Sequence, residues 1–217
     1  QTVKQDSLVD LSDKSIVYSD KATILKSGFV TVNFYENTVY DDTYLEFKVS
    51  SDTLFLHEDK IPLQKNFYIN YDLSNYKSEH QDKVFIANLY GYYKKPSYVT
   101  TTRKGNILSA RSKRLGIYAL AMDTVSPTIK PVNFQDKKWL SKYRYLKVKI
   151  ADDLSGISKY RATVNGHWIL MEYDYKTNTL THDFNDNIVK DTKNELKIIV
   201  TDNVGNSSTF EAIFYRK

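Results

Sequence analysis

The sequence predicts an all-β protein. It contains 18 Tyr and 10 Phe but only 7 Gly and 4 Pro, and aromatic side chains pack well on the half-buried surface of a sheet. No long segment places apolar residues at helical spacing. Instead, segments such as the one carrying Leu45, Phe47 and Val49 alternate apolar and polar residues with a period of two, which is typical of a strand with one buried face. The length of 217 residues accommodates two such domains.

The first predicted β-sandwich domain covers residues 14–124 and follows a polar lead-in at residues 1–13. Its strands are expected at residues 14–18, 29–34, 44–49, 53–57, 66–71, 83–90, 106–110 and 115–122. A boundary near residue 124 is predicted from Pro127 and Pro131. Neither proline can donate a hydrogen bond to a sheet, and both keep the chain extended, as in a connector or an edge strand.

The second predicted domain covers residues 125–217 and resembles an immunoglobulin- or fibronectin-like β-sandwich. About seven strands are expected, the number typical of that fold. They are predicted at residues 128–134, 144–151, 158–164, 167–173, 179–184, 195–202 and 207–215. Asn165 and Gly166 predict a two-residue type I′ hairpin, because both positions of that turn require positive φ. We expect Trp168 to fill the middle of the core rather than to lie exposed as a platform for a sugar.

No catalytic centre is evident in the sequence, so we expect no catalytic residue, cofactor or metal in this chain. There is no cysteine, and the four histidines form neither a His-x-His pair nor a His-Glu-x-x-His motif, which zinc hydrolases commonly carry. No two glycines have the Gly-x-Gly spacing of phosphate-binding loops, and there is no Gly-x-Ser-x-Gly motif. No apolar run approaches the roughly 20 residues of a transmembrane helix.

Acidic turn residues offer one alternative to this expectation. Asp152, Asp153, Asp202 and Asn203 could meet at one end of the sandwich and bind calcium. We favour the simpler interpretation that these side chains cap their own turns by accepting hydrogen bonds from nearby backbone amides.

A basic segment in the first domain is the main candidate binding region. Between Lys83 and Met122 there are eight Lys and Arg residues and no acidic residue. The candidate contacts to a polyanion or glycan are Tyr92, Tyr93, Lys94, Lys95, Tyr98, Arg103 and Lys104. Such residues can hold a nucleic acid, an anionic glycan or a lipid surface, or they can simply protect strand edges from aggregation.

A series of motifs carries a family resemblance. The motifs are Leu115-Gly116-x-Tyr118-Ala119-Leu120, Asp123-Thr124-x-x-Pro127-x-Ile129-x-Pro131, Asp152-Asp153-Leu154-Ser155-Gly156-Ile157, residues 160–174 and Thr201-Asp202-Asn203-Val204-Gly205-Asn206. They resemble the C-terminal region of lysostaphin-type (LytM-like) zinc metallopeptidases of Gram-negative envelopes. The resemblance covers nearly the whole chain from about residue 14 onward; it is specific in the second domain and weaker in the first.

This resemblance implies a location and a role. Members of that family are exported, cleave peptide crosslinks in peptidoglycan and hold zinc in a domain upstream of such β modules. No position here matches their zinc ligands, so zinc is expected only in an upstream domain and peptidase activity is not expected of these 217 residues alone.

The resemblance therefore favours an exported, periplasmic or outer-membrane-associated accessory region that positions a metallopeptidase on peptidoglycan or an envelope partner. The alternative is a stand-alone structural or interaction subunit of an envelope assembly. Nucleic acid is not the expected partner, because the charges are scattered over several strands and the resemblance is to envelope proteins.

Overall fold

The alternation of apolar and polar residues forms strands in the computed structural model, which describes residues 14–217. Leu146, Val148 and Ile150 are fully buried, and so is the alternating set that includes Ile198 and Val200 on a strand of the other sheet of the same unit. The prediction of an all-β fold with two tandem sandwiches, the second immunoglobulin- or fibronectin-like, is confirmed. Helical structure within residues 14–217 is limited to two short 3₁₀ turns, Gln81–Lys83 and Phe184–Asp186.

The first unit, which ends at Met122, contains eleven strands within its described residues. They are β1 Lys14–Val17, β2 Thr23–Ser27, β3 Val30–Phe34, β4 Thr43–Ser50, β5 Thr53–Leu56, β6 Phe67–Asp72, β7 Val84–Tyr90, β8 Lys95–Tyr98, β9 Thr101–Lys104, β10 Ile107–Ser112 and β11 Gly116–Met122. They form one sheet in the order β1-β4-β5-β11-β7-β8 and a second in the order β2-β3-β6-β10-β9.

One hydrophobic core lies in this first unit and includes two tyrosines. Tyr71 and Tyr118 are almost completely buried. The Tyr71 hydroxyl donates a 3.2 Å hydrogen bond to the carbonyl of Tyr118, and the Tyr118 hydroxyl donates to the carbonyl of Arg114. Burial raises the pKa of Tyr71 above its ordinary range and that of Tyr118 to about 12, because the charged phenolate is disfavoured away from water.

The second unit, Asp123–Lys217, contains nine strands. They are β12 Thr128–Pro131, β13 Lys138–Trp139, β14 Tyr145–Ala151, β15 Ile157–Val164, β16 His167–Ile169, β17 Glu172–Asp174, β18 Thr179–Asp183, β19 Lys193–Asp202 and β20 Ser207–Tyr215. A four-stranded sheet, β12-β14-β18-β17, and a five-stranded sheet, β13-β20-β19-β15-β16, enclose a separate core. The division at Met122/Asp123 lies two residues before the predicted boundary.

The predicted strand at 167–173 is in fact two strands in different sheets. β16 pairs with β15 and β17 pairs with β18, so the chain changes sheets between them. Four strands were not predicted: β2, β8, β9 and the two-residue β13. The type I′ hairpin prediction agrees with the structure, since Asn165 and Gly166 have φ of 49° and 80°. No helix within residues 14–217 has the length and hydropathy to cross a bilayer.

Candidate binding surface

The β7–β8 hairpin projects two tyrosines into solvent. Tyr90 pairs with Lys95 at its end, and the Lys94 amide donates a 3.1 Å hydrogen bond to the Gly91 carbonyl. This bond closes a β-turn in which Tyr92 and Tyr93 are the two central residues. The loop can turn this tightly because Gly91 and Lys94 both adopt positive φ, at 72° and 47°.

The two tyrosine rings form an exposed pair. Tyr92 is 93% and Tyr93 is 90% exposed, and their rings meet edge to face with centroids 5.2 Å apart. Lys94 and Lys95 are also exposed. Large aromatic side chains normally pack against other parts of the protein. These two rings remain exposed, so they are available for contact with another molecule. We call residues 92–95 the tyrosine hairpin.

The remaining predicted contact residues lie away from this hairpin. The Tyr98 ring packs on Phe85 with a centroid separation of 5.2 Å. The Arg103 guanidinium donates to the carbonyls of Gln81 and Val84 at 2.6 and 3.5 Å, so it anchors the turn before β7. Lys104 is exposed at the end of β9, which belongs to the other sheet.

The length of β7 separates the two groups. Lys95 lies beside Tyr90 at one end of β7, whereas Arg103 contacts Val84 at the other end. Six residue steps of about 3.3 Å place them roughly 20 Å apart. The predicted patch is therefore divided: the structure brings together Tyr92, Tyr93, Lys94 and Lys95, and places Tyr98, Arg103 and Lys104 elsewhere.

Trp168 corrects another expectation, because it is 55% exposed rather than buried in the core. It pairs with Thr163 across the β15–β16 hairpin, while the next pair, Ala162 and Ile169, is buried. Successive strand residues face opposite sides of the sheet, so the burial of Ile169 turns Trp168 outward.

Three carboxylates meet at one end of the second unit. Asp123, Asp152 and Asp202 each offer an oxygen, and these oxygens lie within 4.8 Å of one another; this is the group of potential metal ligands found within residues 14–217. Carboxylate oxygens are the ligands that Ca²⁺ prefers. Asp153, which the sequence suggested as a partner, is exposed and is not part of the group.

The same carboxylates also cap turns, as the simpler interpretation predicts. Asp152 accepts hydrogen bonds from the amides of Leu154 and Gly156 at 3.2 and 2.6 Å. Asp202 accepts from the amides of Val204 and Asn206 at 3.0 and 2.8 Å. These hydrogen bonds explain why an aspartate begins each of the two turns, and no bound ligand is needed for that explanation.

Asp123 was not predicted as a member of this group. It accepts from the Val125 amide in its own turn and, at 3.0 Å, from the Ser155 amide, and so links the start of the unit to the β14–β15 turn. Burial raises the pKa of Asp152, with further contributions from the charges of Asp123 and Asp202; hydrogen bonds from Gly156 and Leu154 act in the opposite direction.

A family comparison identifies the first unit. Residues 14–123, which are just over half of the chain, match the Zu5-like domain family. The chain belongs to the Zu5-like domain family. The Zu5-like domain thus coincides with the described part of the first unit and includes the tyrosine hairpin. A comparison with curated proteins finds no match.

Three solved structures share similarity with parts of this Zu5-like protein. An endo-β-1,4-mannanase from Thermotoga petrophila is 11% identical over 44% of this chain and 20% of its own, with a TM-score of 0.36. The chain thus spans about a fifth of the mannanase.

The other two cover more of their own length. The fibronectin(III)-like modules of CbhA from Clostridium thermocellum are 12% identical over 70% of this chain and 86% of theirs, with a TM-score of 0.33. The tandem Ig repeats of Dlar are 10% identical over 70% of this chain and 88% of theirs, with a TM-score of 0.28. Similarity at this level assigns no ligand to the chain.

Proposed function

We propose that this chain is a noncatalytic accessory and targeting region of an exported cell-envelope metallopeptidase, which positions the enzyme on peptidoglycan. The tyrosine hairpin is the observation that carries this proposal. It places two exposed aromatic rings beside two exposed cations on a turn closed by a backbone hydrogen bond.

The chemistry of the hairpin suits peptidoglycan. Tyrosine rings offer large, rigid contact surfaces at a low cost in side-chain entropy, and they can pack against the C–H faces of sugar rings. Lys94 and Lys95 supply positive charge that can pair with the carboxylates of the peptide stems. A polymer that repeats both groups lets many weak contacts act together.

The acidic group of the second unit has a structural role in this proposal. Within residues 14–217, the group of three potential metal ligands consists only of carboxylates engaged in turns. The zinc chemistry implied by the resemblance to lysostaphin-type peptidases belongs to an upstream domain in this proposal. Hydrolysis is likewise assigned to that upstream domain.

Co-sedimentation with purified Gram-negative sacculi tests the proposal. The variant Tyr92→Ser, Tyr93→Ser, Lys94→Asn, Lys95→Gln should bind about tenfold more weakly than the unaltered chain. The slope of log affinity against log salt should also fall by on the order of 1 to 2, since two cations are removed. Asn is chosen at position 94 because it tolerates positive φ.

A matched control changes the same residue types elsewhere. Tyr40→Ser, Tyr175→Ser, Lys77→Asn, Lys26→Gln replaces two exposed tyrosines and two exposed lysines outside the hairpin and outside the basic segment. We expect this control to bind as the unaltered chain does. Equal retention of the hairpin variant and the unaltered chain would remove the basis of the proposal.

The mass of the native protein separates this proposal from the alternative. A native chain with an upstream domain that carries a His-x-His strand would support an accessory region of a zinc peptidase. A native protein of 25.3 kDa that binds sacculi would instead be a stand-alone envelope subunit.

A further inference from the structure

A second surface, on the outer face of the five-stranded sheet, carries an exposed tryptophan beside cations. The strand register places Arg161 opposite Ile199 and Lys159 opposite Thr201 on β15 and β19. Trp168 lies on the adjoining edge strand β16. Because alternate residues share one face of a sheet, these side chains line the same side.

They enclose an open groove of about 560 Å³, which is within the range of small-molecule sites. Its lining consists of Lys159, Tyr160, Arg161, Trp168, Ile199 and Thr201. A smaller depression of about 220 Å³ shares three of these residues, Tyr160, Arg161 and Trp168. The two depressions therefore adjoin along the Trp168 side chain.

The two charged groups of the groove are unpaired and both positive. Within residues 14–217, neither Lys159 nor Arg161 forms an ion pair or a side-chain hydrogen bond, and no acidic residue lines the groove. By contrast, Lys197 on the same sheet is paired with Glu211 at 2.8 Å. Uncompensated positive charge is thus concentrated beside the indole of Trp168.

We propose that this groove binds an acidic saccharide. The indole of Trp168 provides a flat apolar platform for the C–H face of one pyranose ring. The Arg161 guanidinium and the Lys159 ammonium hold the carboxylate by charge-assisted hydrogen bonds. The Thr201 hydroxyl is paired with the Ser207 hydroxyl at 2.8 Å, and its oxygen keeps a lone pair that can accept from a sugar hydroxyl.

Two features favour a saccharide over a single-stranded nucleic acid. Nucleic-acid channels stack successive bases on several aromatic rings and follow the backbone with a continuous basic groove. Here one exposed indole and two cations form a compact group, which suits one charged ring. The site lies in the second unit and does not depend on the tyrosine hairpin, so this inference and the proposed function can fail separately.

Nuclear magnetic resonance of the full chain tests the inference directly. The protein has two tryptophans, so two indole N–H signals are expected, and Trp168→Phe assigns them. Trp139 is an internal control, because it lies on β13 at the opposite edge of the same sheet. The probes are the disaccharide GlcNAc–MurNAc, whose lactyl group carries a carboxylate, and the neutral disaccharide GlcNAc–GlcNAc.

We expect GlcNAc–MurNAc to shift the Trp168 signal and not the Trp139 signal, and to bind about tenfold more tightly than GlcNAc–GlcNAc. Lys159→Gln with Arg161→Gln should abolish this preference while the spectrum stays folded. The matched control Lys147→Gln with Lys149→Gln should retain it.

Three outcomes would overturn the assignment. The first is no Trp168 shift with either sugar at millimolar concentration. The second is equal affinity for both sugars in the unaltered chain. The third is a Trp168 shift with a ten-nucleotide oligothymidylate at much higher affinity than with GlcNAc–MurNAc, which would make the groove a nucleic-acid site.

Discussion

Replacing Trp168 by Ala tests the outward orientation of this side chain. The residue is 55% exposed, so about 45% of its surface is covered. For an aromatic side chain of roughly 200 Å² this corresponds to about 90 Å², or about 2 kcal/mol at 25 cal/mol per Å². That value is an upper bound, because the unfolded chain already buries part of the ring and no cavity forms.

Phe214→Ala is the matched comparison. Phe214 is fully buried in the same unit, so its truncation leaves a cavity and should lower the free energy of unfolding by about 3–5 kcal/mol. Urea unfolding followed by far-ultraviolet circular dichroism measures both variants with the same probe. An equally large loss for Trp168→Ala would refute the outward orientation and restore the core position that the sequence suggested.

Three further predictions concern stability. Tyr71→Phe removes the hydrogen bond to the Tyr118 carbonyl and should cost about 1 kcal/mol of unfolding free energy. Gly166→Ala meets no atom within 4 Å but must keep a φ of 80°, so it should cost roughly 1–2 kcal/mol through strain alone. Because burial raises the pKa of Asp152, its ionisation destabilises the folded state: its contribution is favourable at low pH and is lost as pH rises from about 4 through the higher folded pKa. Asp152→Asn should therefore flatten the fall in stability over that pH window.

Each of these predictions has a contradicting result. An unchanged unfolding free energy for Tyr71→Phe would mean that the buried hydrogen bond contributes no net stability. An unchanged unfolding free energy for Gly166→Ala would contradict the positive φ at this position. Identical pH profiles of unfolding free energy for Asp152→Asn and the unaltered chain would contradict the raised pKa.

Strand alternation made most of the fold predictable. Segments with strict alternation, such as the one carrying Leu146 and Ile150, form strands with the predicted buried face. β8 and β9 escaped prediction because they are edge strands of mostly polar composition. β13 escaped because two residues that pair in parallel with β20 leave no periodic pattern.

The position of Trp168 could have been predicted from the hairpin signal. A two-residue Asn165-Gly166 loop fixes Thr163 opposite Trp168 and Ala162 opposite Ile169. Once the inward side of β15 is assigned to Ala162, the tryptophan must face solvent. The local strand register, and not the general preference of Trp for the protein interior, determines where this side chain lies.

The acidic group was only partly predictable. Asp152 follows β14 and Asp202 is the last residue of β19, and both begin turns, which suggested that they meet. Asp123 lies at the domain boundary, and only the paths of β12, β14 and β19 bring it to within 4.8 Å of the other two. The divided basic patch likewise depended on β8 and β9 lying in different sheets.

The central claim, noncatalytic binding to peptidoglycan, is tested most directly by incubating the unaltered chain with purified sacculi and measuring both bound protein and released muropeptides. The account predicts that the chain sediments with the sacculi, that added salt weakens this binding, and that no muropeptide is released. A chain that stays in the supernatant at low salt, or one that releases soluble muropeptides, would contradict it.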